Sequence, residues 1–531
     1  MKFAALLSIL SASIVLASVA DDTAAVCAYL HSNFPDRTAW DPLNPHAIES
    51  IFNAAAYANT ITHYWNGANG LNRPLCIFFP SSAEEVSAGV KQLNKYPNVQ
   101  FALKSGGHNF NKGISSTNGG ILFSFNENLS SVSRSEDGNS FLVGPSARWG
   151  DIYNVSTKAN QIVVGGRLAN IGVAGLVLGV GINMDTSVLT VPRGLACDNV
   201  INFEVVLPNG TIANANKTSN PDLWWALKGG GNRFGIVTKL TLQAHPAGVN
   251  GQVWGGIRLY SADDRQEIFR AISNFIREYP DPKAAVIPTF DFGLPNAAIS
   301  SPALFFFYDG PSPPANAFAG IENIKALTDT TGTTTYNQLT SEAGGGKIYG
   351  INAAARVNTF PNMSPDRTSQ LFEDHWDLYK AYTKNDSSKN IDIQISTFTT
   401  QPLSVRIARA SAQQGGNALG LDPASGDRIW VENDLIWLNP TCDDTCPGYL
   451  REMTDDVNTA FYSRFKGEKP TNYESGDVGF ISANPLFMND AADYQDVYAS
   501  YGATNHARLQ QIAKEYDPTG FMNRQGGWPL G

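Results

Sequence analysis

The sequence predicts an α+β fold in two unlike halves. Three observations carry that expectation. From about Pro74 to Ala247 the chain reads as short apolar runs separated by glycine turns, with an occasional helix. Turn-forming residues then crowd together in Ala244-His-Pro-Ala-Gly-Val-Asn-Gly251, the composition of a linker. Beyond it, Ile391-Asp-Ile-Gln-Ile-Ser396 and part of Ile429 to Leu438 alternate apolar with polar residues, the pattern of half-buried antiparallel strands.

The elements follow in order. Cys76-Ile-Phe-Phe79 is a short apolar strand entering Pro80-Ser81-Ser82. There a serine followed by Glu84 and Glu85 starts a helix, because the hydroxyl caps free amides and carboxylates favour the positive helix end. The helix should run through Val90 to Leu93, and the strand Val99 to Leu103 then feeds the loop Lys104-Ser-Gly-Gly-His-Asn-Phe110. Further strands are predicted at Ser140–Val143, Asn202–Leu207, Gly235–Leu242 and Ala303–Tyr308. Helical periodicity spans Ala262 to Tyr279 and again Asn505 to Glu515.

Bulk properties narrow the setting. Lys2, the apolar run from Phe3 to Val19 and the small residues Ser18-Val19-Ala20 describe a secretory signal, expected to occupy residues 1–20. No basic stop-transfer cluster follows, so the expectation is an exported chain without a membrane anchor. A net charge of −10 disfavours nucleic acid and anionic membrane surfaces as partners. In an oxidising compartment the five cysteines allow two disulfides, with Cys27–Cys76 and Cys442–Cys446 the expected pairs and Cys197 a buried thiol. No cysteine pair has a histidine at ligand spacing, so no metal site is expected. Sequons at Asn128, Asn154, Asn209, Asn216, Asn362 and Asn385 suit an exported glycoprotein.

Three glycine-rich segments carry the chemistry. In Ser105-Gly106-Gly107-His108-Asn109, adjacent glycines let backbone approach a ligand and their amides can line an anion, with the histidine beside it. Glycines 172, 175, 179 and 181 similarly leave bare backbone for a planar or phosphorylated ligand. Gly229-Gly-Gly231 precedes the apolar strand at Phe234-Gly-Ile-Val237. Each segment alone also reads as an ordinary turn between buried strands. None matches the dinucleotide fingerprint or a phosphate loop, since Gly346-Lys347 is followed by isoleucine.

Together and in this order, the segments resemble the FAD-linked oxidoreductases of the vanillyl-alcohol oxidase type, in the berberine-bridge-enzyme-like branch and especially its fungal members. Tyr501-Gly-Ala-Thr-Asn505 and Tyr516-Asp-Pro-Thr-Gly-Phe521 extend the likeness to the C-terminus. The resemblance implies a two-part FAD-binding domain of the PCMH type over 21–246, with its core at about 72–246. A substrate domain with an antiparallel sheet would follow over 247–465, and a segment, 466–531, would return to complete the flavin domain. It implies FAD held by Ser105, Gly106, Gly107, Asn109, Gly172, Gly175, Ile236, Val237 and Asn505, and bonded through His108. Many members add a second flavin bond from a cysteine where this chain has Leu168, so one bond is expected. Tyr473 is the candidate catalytic base.

The implied activity is oxidation of an alcohol or related C–H bond of a small, fairly apolar secondary metabolite, with dioxygen as acceptor. An oligosaccharide oxidase and a flavin-binding protein without turnover are the alternatives. The substrate wall is expected on strands 391–398 and 429–438, where Phe305, Phe306, Phe307, Trp430 and Trp437 are candidates though mostly core.

Overall fold

The computed structural model describes residues 19–44, 53–125, 128–180, 193–293, 299–343, 349–383, 391–476 and 484–531. Most of the expected signal, Gly181 and the Asn385 sequon lie outside them. No helix among the described residues is long and apolar enough to cross a membrane.

The N-terminal half holds two main sheets. In the first, strands β1 (Thr38–Trp40), β2 (Cys76–Phe78), β3 (Phe101–Lys104) and β4 (Ile121–Ser124) lie in the order β1-β2-β4-β3. The β2–β4 and β4–β3 pairs are parallel. The crossover is the helix Ala83–Leu93, which begins as the sequence predicts: Ser82 Oγ accepts from Glu85 N, while the Glu85 carboxylate accepts from Ser81 N at 2.7 Å. The Cys27–Cys76 disulfide ties the helix at 19–33 to β2. β5 (Val132–Arg134) and β6 (Ser140–Val143) join β8 (Val200–Val206), β9 (Ile212–Asn216) and β10 (Ile236–Gln243) in an antiparallel second sheet. A minor pair, β7 (Gln161–Ile162) with β11 (His245–Pro246), closes the half near the predicted linker.

The second half is an eight-stranded antiparallel sheet. Its strands are β12 (Gln252–Leu259), β13 (Ala284–Gly293), β14 (Ile299–Tyr308), β15 (Thr328–Asp329), β16 (Gly332–Thr335), β17 (Asn352–Pro361), β18 (Ile393–Leu403) and β19 (Arg428–Trp437). Helices Arg265–Glu278, Pro365–Tyr382 and Cys446–Phe465 cover it. Phe305, Phe306, Phe307, Trp430 and Trp437 are all core, at most 4% exposed. Cys442–Cys446 forms the second disulfide, and Cys197 is a buried free thiol.

The last residues pack back on the first half. Arg233, 5% exposed, donates to Trp528 O and Met522 O, and Asn232 Nδ2 donates to Gln525 Oε1. Phe521 packs on Phe101 with ring centroids 5.0 Å apart. One sequon is incompatible with a glycan on the folded chain: Asn362 is fully buried, its amide donating to Ser273 O and Thr471 Oγ1. Asn154 and Asn209 are exposed.

Candidate FAD and substrate site

A cleft of about 250 Å³ lies between the halves. One wall is the loop after β3. Its residues Ser105, Gly106, Gly107, His108 and Asn109 all line the cleft, as do Gly172, Gly175, Leu168, Ile236 and Val237. The sequence-predicted residues converge because two loops touch through backbone alone. A Cβ on Gly106 would lie 2.7 Å from Gly172 N and Cα, a distance no side chain tolerates. Gly107 has φ +68°, the left-handed region that turns the next residue, His108, into the cleft.

Arg148 staples the two loops. Its guanidinium donates to Gly106 O at 3.1 Å and to Asn170 O, and reaches Tyr349 Oη at 3.5 Å. Ser105 Oγ donates to Pro145 O. The His108 imidazole is half-buried and stacks on Trp65, centroids 5.1 Å apart at 27°. Burial, and secondly the Arg148 charge, push its pKa down to about 4, so the ring is neutral at physiological pH. Beneath the loop, burial pushes the fully buried Lys104 down to about 7, while its Nζ donates to Thr60 O and lies 3.9 Å over the Tyr64 ring.

The opposite wall lies on β18 and β19, the strands on which it was expected from sequence, but its polar residues were not singled out there. Gln401 of β18, Glu432 of β19 and Asp490 of the C-terminal segment line the cleft. Register explains their meeting: Thr399 pairs with Glu432, and Asp291, Thr397 and Asp434 form the next row across β13, β18 and β19. Because strand side chains alternate, Glu432 and Asp434 share one face. Burial raises Glu432 to about 7, an effect Arg167 partly offsets. Burial first, then the neighbouring carboxylates, hold Asp434 and Asp490 well above the usual range. Gln401 Nε2 donates to Asp490 Oδ2 at 3.0 Å. The signal available in the sequence was a glutamate at an inward position of the apolar run Ile429-Trp-Val-Glu432.

Two expected site residues lie elsewhere. Tyr473 is absent from the cleft lining, and its hydroxyl donates to Gly476 O at 2.9 Å. Asn505 Nδ2 donates to Ala418 O, a contact that fixes the helix Ala503–Tyr516 rather than a ligand. The neighbouring Tyr501 hydroxyl donates to Gly229 O and that of Tyr498 to Gly230 O, pinning the triple-glycine turn whose Gly231 lines the cleft.

The residues fit a large ligand with a phosphate-bearing part and a planar part. The Gly106–Gly172 cradle would be filled by any Cβ, and the buried Ser115 Oγ, Gln401 Oε1 and Asn489 Oδ1 on the lining have no protein hydrogen-bond partner. Among the described lining residues, His108 carries the one imidazole, and Leu168 lies on the same lining.

Residues 74–216 match the FAD binding domain family. A berberine bridge enzyme variant superposes with TM-score 0.70 at 16% identity, over 95% of this chain and 99% of that one. An uncharacterized FAD-linked oxidoreductase of Arthroderma benhamiae is 32% identical, over 90% of this chain and 92% of its own. The FAD-dependent monooxygenase drtC of Aspergillus calidoustus is 28% identical over 88% and 84% of the two chains. The chain belongs to the FAD-linked oxidoreductases.

Proposed function

We propose that this enzyme is secreted and oxidises an alcohol carbon or related C–H bond of a small, apolar secondary metabolite, with FAD bonded once, through His108, and dioxygen as the final acceptor. The observation carrying this reading is that one cleft is lined both by the His108 loop and by the buried carboxyl group of Glu432. FAD, when bound, supplies the hydride acceptor. Glu432, with its pKa near 7, takes the hydroxyl proton as the hydride leaves, which suits a base working at neutral pH. Burial and neighbouring carboxylates raise Asp434 and Asp490 well above the usual carboxylate range, and Glu432 is the member of the cluster to which we assign the proton exchange. Gln401 orients Asp490, and its partnerless Oε1 is placed to accept from a substrate hydroxyl. Phe110, Leu168, Leu176 and Trp528 keep the cleft apolar, which favours a hydrophobic substrate over a sugar.

Secretion is supported by the charged-then-apolar N-terminus and the two disulfides, and glycosylation by exposed Asn154 and Asn209. The drtC name favours a second reading, oxygen insertion. Turnover under ¹⁸O₂ separates them. The oxidase reading expects hydrogen peroxide carrying the label and a product without it; label in the product would replace that reading with monooxygenation.

A further inference from the structure

We propose that Trp65 is a positioning residue that sets the plane of the His108 imidazole for covalent flavin attachment, an inference that rests on the His108 linkage proposed above. The indole lies against the imidazole at 5.1 Å and 27°, while Phe110 meets the indole edge-on at 5.0 Å. Trp65 N donates to Gly107 O at 2.9 Å, locking the indole to the residue that precedes the histidine.

The segment carrying the indole is held from behind by the second half of the molecule. Ile351 N donates to Trp65 O, Gly350 N to Tyr64 O, and Gly67 N to Ile351 O, each at 2.9 Å. Asn66 Nδ2 donates to both Phe110 O and Ala353 O. The indole therefore has little freedom to follow the imidazole, and the imidazole must conform to it.

Ring plane matters because the attacking lone pair lies in it. Attachment forms a bond between an imidazole nitrogen and the flavin 8α-methyl carbon. One N–H and one C–H bond break; the two hydrogens pass to the flavin ring as two protons and two electrons. Dioxygen then removes them as hydrogen peroxide, restoring oxidised flavin. A neutral imidazole turned out of line would still sit beside the methyl group but would not present its lone pair to it, and small misplacements of a reacting group carry large rate penalties.

The test compares secreted wild-type protein with Trp65→Phe and Trp65→Leu. Each is precipitated in acid, and flavin is measured in pellet and supernatant per mole of protein. Trp65→Phe, which keeps an aromatic face, should retain pellet flavin close to wild type. Trp65→Leu should hold total flavin near wild type while at least about fivefold less stays in the pellet, the difference appearing in the supernatant. Pellet flavin unchanged in Trp65→Leu would overturn the proposal. So would loss of flavin from both fractions, or failure of that variant to be secreted, since either assigns the indole a structural role only. Wild-type protein with no acid-stable flavin would instead overturn the His108 linkage itself.

Discussion

In the proposed mechanism, the ionisation of Glu432 decides whether the cleft holds a base at neutral pH. Its buried carboxyl titrates near 7, above the ordinary glutamate range, so the ionised fraction falls as pH drops below that value. We predict that kcat/KM declines on the acid side of about pH 7, as a single ionisation requires. Glu432→Gln should lower kcat by about 10²- to 10⁴-fold and abolish that acid limb, measured by flavin reduction under anaerobic conditions. Tyr473→Phe should stay within about twofold of wild type, because its hydroxyl serves Gly476 O outside the cleft. His108 was singled out in the sequence only because several glycine-rich segments, taken in order, resemble one family; alone, a histidine after paired glycines reads as an ordinary turn. Glu432, Gln401 and Asp490 were not singled out, because three separate segments bring them together and no short window contains two of them at contact spacing.

Elements position these residues through backbone contacts, and their loss should be felt as both stability and cofactor content. Gly172→Ala places a Cβ 2.7 Å from Gly106 backbone, with no flexible side chain to yield. We expect about 1–3 kcal/mol of destabilisation by urea unfolding, together with reduced flavin content. Legibility at this scale followed local chemistry. Ser82 with Glu85 defined the start of the Ala83–Leu93 helix, and alternation located β19 to within a residue at each end. The helices Pro365–Tyr382 and Cys446–Phe465 went unpredicted. Polar residues fall among their buried positions, where Thr368, His375 and Thr454 are hydrogen-bonded within the core, so the apolar stripe is broken.

Across the whole molecule, the two halves are joined by chain crossings as well as by packing. The return of the C-terminal segment onto Arg233 brings Asp490 to the cleft, and this was expected only through family resemblance, since nothing local in 484–531 encodes its destination. Removing the Cys27–Cys76 bond, which closes a span of 49 residues, should cost about 2–5 kcal/mol and lower Tm without moving kcat. The carboxyl cluster also links stability to pH. Groups whose folded pKa is raised bind protons more tightly in the native state, so their contribution is full below the unfolded carboxylate range and is lost as pH rises through the folded value. For Glu432 that window runs from about 4.5 to about 7, and Glu432→Gln should flatten the fall in Tm across it.

The most direct test of the whole arrangement is peptide mass spectrometry of the secreted protein after acid precipitation. A single FAD adduct on the peptide containing His108, and none elsewhere, is the predicted result. Flavin released entirely into the supernatant, or an adduct on any other residue, would contradict the placement of the cofactor against His108.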